Sequence, residues 1–127
     1  MNEAMRQHAA ELRGMQSEQA ADWLLQHYPR GGEGIILLEH ISLRKSDYRR
    51  LAEHYLVGPS HAHDRAYRLF GHRLGLTGLI RILGETKGRD SRDADLLAHH
   101  LRPMLRNAKD AEELREATAF IDALAIS

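Results

Sequence analysis

Apolar residues recur at three- and four-residue spacing along most of this chain, and that period predicts helices almost from end to end. Met5, Ala9 and Leu12 fall at i, i+4 and i+7, and Gly14 follows as the expected C-cap. Ser17 is placed to cap a second helix, one face of which carries Ala20, Trp23, Leu24, His27 and Tyr28, with Trp23 as a core anchor. Pro29 stops it, and Arg30-Gly31-Gly32 makes a joint. The stretch Gly34-Ile35-Ile36-Leu37-Leu38 has no period to read and fits a buried strand as well as a helix. A short helix is expected, because a lone strand would have no second strand-like run to satisfy its backbone groups.

From Ser46 the period returns: Tyr48, Leu51, Ala52, Tyr55 and Leu56 form one stripe, closed by Gly58-Pro59. Ser60 is placed to cap the next helix, with Ala66, Leu69 and Phe70 inward. Gly71, Gly75 and Gly78 then stand at i, i+4 and i+7, which predicts a break or kink, with Thr77 opening a fresh segment through Leu79, Ile80 and Leu83. Residues 84–90 read as a polar loop. Ala94, Leu97, Ala98, Leu101 and Leu105 make another stripe, bent at Pro103 by the missing amide. Asp110 with Glu113 signals a capping box, and Leu114, Ala117, Ile121 and Leu124 supply the buried face of the last helix. The expectation is an all-α protein, a compact single-domain bundle of six to eight mostly short helices over residues 1–127, with 35–38 and 48–56 near its centre.

Composition narrows the chemistry. Aromatics are only 6% of the 127 residues, so the core must be built from Leu, Ile and Ala. No cysteine is present, which excludes disulfides, thiolate metal sites and Cys nucleophiles. The start, Met1-Asn2-Glu3-Ala4-Met5-Arg6, lacks the pattern of a signal peptide, and no apolar run reaches the length of a membrane span, so a cytoplasmic location is expected.

The formal net charge of zero hides a sorting by position. Residues 1–43 carry −3, residues 44–92 carry +6 and residues 93–127 carry −3. Either the acidic flanks fold back on the basic centre, or that centre faces an acidic partner.

Nine histidines invite a metal hypothesis, with His61-Ala62-His63-Asp64 and His99-His100 as the denser clusters. Neither places two imidazoles three or four residues apart on one helix, so surface or half-buried histidines near helix ends are expected, with no metal or other cofactor. The order His40, then His63-Asp64, then Asp93 or Asp95, resembles that of the HD phosphohydrolases. That resemblance, which covers four residues, implies a divalent metal activating water against a phosphate ester. Arg44-Lys45, Arg49-Arg50, Arg65, Arg68, Arg73, Arg81, Arg89 and Arg92 suggest nucleic acid, and helix, Gly58-Pro59-Ser60, helix resembles a helix-turn-helix whose turn glycine comes two residues late. An overall pI near 7.2 is low for a phosphate-binding domain. No nucleophile motif or phosphate-cradling loop occurs, so no catalytic residue is expected.

By elimination the first expectation is a small cytosolic, non-enzymatic interaction module, of the kind that a bacterial immunity, antitoxin or adaptor protein represents, which occludes a partner protein with an acidic surface. Arg49, Arg50, Arg65, Tyr67 and Arg68 are its expected contacts, because arginine and tyrosine suit interface anchors and these positions fall off the apolar stripes. Nucleic-acid binding through 44–92 stands second and an HD-like hydrolase third.

Overall fold

The computed structural model describes residues 2–86 and 88–125, which hold seven α-helices and one 3₁₀ helix and no strand. The all-α expectation holds. The helices sort into two units, Met1–Leu51 and Ala52–Ser127, and the division falls inside the fourth helix.

The first unit contains α1 (Glu3–Arg13), α2 (Ser17–His27), α3 (Glu33–Leu38) and the start of α4 (Lys45–Tyr55). Asn2, in extended conformation, caps α1 by accepting from Met5 N at 2.9 Å, and the predicted stripe of Met5, Ala9 and Leu12 is buried. The helix ends at Gly14 as expected, yet Gly14 stays right-handed at φ −82°, so its conformational freedom is not what stops the chain. Ser17 does not cap α2; it is the first helical residue, and its hydroxyl turns away to Asp47 Oδ2 at 2.6 Å while accepting from Arg44 N at 2.8 Å. Trp23 is not the core anchor of α2 either. Ala20, Ala21 and Leu24 take the buried face, and Trp23 is half-buried against the rings of His8, His27 and Tyr28. Residues 33–38 form a helix, not a strand, entered through Gly31 and Gly32 at φ 87° and 51°, where only glycine is comfortable. Ile35, Leu37 and Leu38 are buried, and α3 packs on α1.

The second unit continues α4 and adds α5 (Arg65–Leu83), α6 (Ser91–Leu101), the 3₁₀ helix η1 (Arg102–Asn107) and α7 (Ala111–Leu124). The whole stripe of Tyr48, Leu51, Ala52, Tyr55 and Leu56 is buried along α4. Ser60 does not cap α5, which begins five residues later at Arg65; residues 56–64 are loop, and Ser60 serves another partner. The glycine series divides its labour. Gly75 breaks α5 with φ 81° and ψ 162°, a conformation that essentially only glycine adopts, whereas a Cβ on Gly71 would strike Met104 Cε of η1. Pro103 bends the chain as predicted, by converting the end of the stripe into η1.

Asp110 caps α7 by accepting from Glu113 N at 2.8 Å, as the capping box predicts. Leu114 is 43% exposed, contrary to its predicted inward place. Glu113 takes that position with Ala117, Ile121 and Leu124, and its carboxylate accepts from Lys109 N at 3.0 Å and, across the unit, from Thr77 N at 3.2 Å and Thr77 Oγ1 at 2.7 Å. One buried carboxylate therefore closes the start of α7 and the restart of α5 after its break. No helix among the described residues is long and apolar enough to cross a membrane.

Candidate functional site

In the first unit the acidic flank does fold back on the basic centre. Arg50 Nη1 lies 2.6 Å from Asp22 Oδ1, its Nη2 donates to Glu18 O at 3.2 Å, and Asp47 Oδ1 stands 3.8 Å away. Arg44 reaches Asp47 at 3.1 Å and Glu18 at 3.9 Å. Asp47 is buried beneath them. The Ser17 hydroxyl, then the Arg44 and Arg50 guanidinium groups, hold its carboxyl below the usual range against the opposing effect of burial. Asp22 in turn raises the Arg50 guanidinium. Arg50 is thus a structural partner of α2, while Arg49 is exposed on α4.

The second unit corrects the placement of Tyr67. Its neighbours in sequence, Arg65 and Arg68, are exposed, but Tyr67 is only 1% exposed and belongs to the core face of α5 with Ala66, Leu69 and Phe70. The apolar stripe on α5 is wide enough to include the aromatic ring, which stacks on His100 at 5.6 Å and meets His61 edge-on at 5.6 Å. Its hydroxyl accepts from His61 N at 2.7 Å. Burial pushes the Tyr67 phenol upward, partly offset by the backbone of His61 and the hydroxyl of Ser60.

Around Tyr67 lie a serine, two histidines, an aspartate and an arginine, the inventory of a hydrolase, so their wiring decides what they do. Ser60 Oγ donates to Asp93 O at 3.2 Å rather than to an imidazole, and Ser60 N donates to Asp93 Oδ1 at 2.5 Å. His61 Nε2 is 2.7 Å from Tyr55 O, and His100 Nε2 is 3.0 Å from His61 O. Carbonyl oxygen only accepts, so both Nε2 atoms carry protons and neither ring nitrogen in these bonds is free to act as a base toward Ser60. Arg89, with 8% of its side chain exposed, donates from Nη1 to Leu83 O and Thr86 O and keeps its Nε 3.4 Å from Asp93 Oδ2, an ion pair without good hydrogen-bond geometry. Gly58 N donates to Thr86 Oγ1 at 3.3 Å. Together these side chains fasten the 56–64 loop to α5 and α6. A cleft of about 270 Å³ remains between Gly58-Pro59 and Thr86, Gly88, Arg89, Asp90 and Asp93, but its charges are spent on one another and on the backbone.

The two histidine clusters of the sequence thus meet through His61 and His100, as loop fasteners near helix ends. Among the described residues no three His, Asp or Glu side chains are placed to share a metal ion, so the set of His40, His63, Asp64 and Asp93 or Asp95 is not assembled. Asp93 instead serves Ser60 and Arg89, and Asp64 serves Arg68 at 3.3 Å.

Arg81 is exposed beyond the Gly75 break, and before that break one exposed face of α5 carries basic side chains. Arg65, Arg68 and His72 stand at i, i+3 and i+7, opposite the core side of the helix. Sequence reading missed His72, although its spacing from Arg65 and Arg68 was available. No protein-family model, curated protein or solved structure matches the chain.

Proposed function

We propose that this protein is a cytoplasmic, non-enzymatic helical binding module that lays the exposed face of α5 against an acidic surface of a partner protein, in the occluding manner of an immunity, antitoxin or adaptor protein. The observation that carries the reading is the exposed face of Arg65 and Arg68, with the His72 imidazole beside them, on a helix whose other side is anchored in the core. A rigid element presenting long cations suits steering and docking of an anionic surface. Arg49 keeps its place as a separate contact on α4, whereas Arg50, half-buried and held by Asp22, Asp47 and the Glu18 carbonyl together, and Tyr67, buried in the core, leave the set.

Two features favour protein over nucleic acid. Tyr48, Tyr55, Tyr67 and Phe70, the aromatic side chains of the basic centre, are all buried and supply no stacking platform for bases. Arg44, Arg50 and Arg89 pair with Glu18, Asp22 and Asp93 of the acidic flanks, which shortens any basic track along a phosphate backbone. The reading away from catalysis is supported by Ser60 Oγ, His61 Nε2 and His100 Nε2, which bond to backbone carbonyls, and by Asp93, which serves Ser60 N and Arg89.

The test is quantitative capture at two salt concentrations by the wild type and by Arg65→Glu/Arg68→Glu, followed by association kinetics with the protein identified. The double reversal should slow association by roughly tenfold or more at low salt and less at high salt, with helical content unchanged. Equal capture by both proteins places the interface elsewhere. Tight, sequence-selective binding of duplex DNA that the same variant abolishes would replace the reading with nucleic-acid recognition.

A further inference from the structure

Among the described residues, four helices are preceded by an Asn or Asp in the N-cap position, and three of those side chains cap. Asn2, Asp90 and Asp110 are extended, and each accepts from an amide in the first turn of its helix, Met5 N, Asp93 N and Glu113 N. Asp64, before α5, does not. Its backbone is already right-handed at φ −82° and ψ −2°, it makes no side-chain cap bond, and its carboxylate goes to Arg68 Nε, with Oδ2 at 3.3 Å. The order, acid first and arginine four residues later, is the favourable one for a helical pair. Both side chains are open to solvent, 65% exposed for Arg68 and 44% for Asp64, so the pair lies on the surface where an incoming anion would compete for the same guanidinium.

We propose that Asp64 is a built-in counter-ion on the α5 face, holding Arg68 until a partner presents carboxylates dense enough to displace it. The inference rests on the α5 reading above and adds its regulation. Asp64 opposes an acidic partner twice, by occupying Arg68 and by placing a like charge beside Arg65 and Arg68 along the same helix. An isolated carboxylate gains little by exchanging places with Asp64, because the bond it makes replaces a bond of the same kind. A cluster of carboxylates gains more, since its further members meet Arg65 and His72. The face therefore discriminates by charge density, and Asp64 sets the threshold.

The experiment uses the full chain and a fluorescein-labelled oligoglutamate peptide as the acidic probe, read by anisotropy at low and near-physiological salt. Asp64→Asn keeps the shape and removes the charge. It should tighten binding by about two- to fivefold, the scale of one exposed helical ion pair plus one like charge, and most strongly at low salt. Arg68→Gln should weaken binding, and in the Arg68→Gln background Asp64→Asn should change it by less than about twofold, because the pair no longer exists. Circular dichroism of each variant confirms that α5 is intact. If Asp64→Asn leaves the affinity unchanged while Arg65→Glu/Arg68→Glu abolishes it, the counter-ion role is wrong and the α5 face stands. An Asp64→Asn gain that is equally large without Arg68 also overturns the role, since Asp64 would then act only as a diffuse charge. Binding that Arg65→Glu/Arg68→Glu does not weaken, or no binding by any variant, overturns the α5 reading and the counter-ion with it.

Discussion

Replacing Glu113 tests how much of the second unit depends on one buried carboxylate. Alanine removes three accepted hydrogen bonds, from Thr77 N at 3.2 Å, Thr77 Oγ1 at 2.7 Å and Lys109 N at 3.0 Å. The Thr77 hydroxyl can rotate toward another acceptor, but the two amides are held by the backbone and lose theirs. The Asp110 cap survives, because it accepts from the Glu113 main chain. Two part-buried orphan amides at about 1–2 kcal/mol each, whose former acceptor was charged, give a loss of about 2–4 kcal/mol. That is a large part of the roughly 5–15 kcal/mol that holds a domain together. Glutamine keeps the volume but turns a second donor toward Thr77 N or Lys109 N, so Glu113→Gln should cost about 2–3 kcal/mol. Urea denaturation followed by far-ultraviolet circular dichroism measures both. A loss below about 1 kcal/mol for Glu113→Ala at neutral pH would refute the double-cap account.

The same variant carries a pH signature. The Thr77 hydroxyl first, then the Lys109 and Thr77 amides, hold the Glu113 carboxyl below its ordinary value in the folded protein, against burial. A group with a depressed folded pKa contributes stability that is complete above the unfolded value and is lost as pH falls through the folded one. The gap between wild type and Glu113→Gln should therefore be flat from about pH 6 upward and narrow on acidification. Asp47 titrates in both proteins and cancels in the difference. A gap that widens toward acid pH would contradict the assignment.

Two glycines of α5 should respond differently to alanine. Gly75→Ala should cost about 1–3 kcal/mol through backbone strain alone, since nothing lies within 4 Å of its added Cβ. Gly71→Ala should cost about 1 kcal/mol or less, because the Met104 Cε that its Cβ meets is the end of a flexible side chain that can give way, and only this change should be non-additive with Met104→Ala in a double-mutant cycle. Burial pushes the Tyr55 phenol up to about 12. Its contribution is full below the ordinary tyrosine value near 10 and is lost as pH rises toward 12, so Tyr55→Phe should flatten the alkaline limb of stability in that window. An unchanged alkaline limb would place Tyr55 in contact with water.

Helix existence was legible from local pattern because each helix satisfies its own backbone and needs only one apolar stripe to dock. The stripe on α4, the restart of α5 near Thr77, the bend at Pro103 and the Asp110–Glu113 box could all be read one segment at a time. Even the choice of helix over strand for residues 33–38 followed from the lack of a second strand.

What tertiary structure alone decided was where polar side chains spend their bonds. Ser17 and Ser60 both look like caps, because serine favours that position, yet each has a stronger distant partner in Asp47 and Asp93, 30 and 33 residues away. Tyr67 reads as an outward residue between two arginines until its ring is seen between His61 and His100. Trp23 reads as core until smaller Ala20 and Ala21 fill the contact face of α2. Charge behaved the same way: the sequence determined that the centre is basic and the flanks acidic, but only folding assigned Asp22 to Arg50 and Glu113 to Thr77. Hydrophobic period is a property of neighbours along the chain, whereas an ion pair or a buried hydrogen bond joins residues whose separation the chain leaves open.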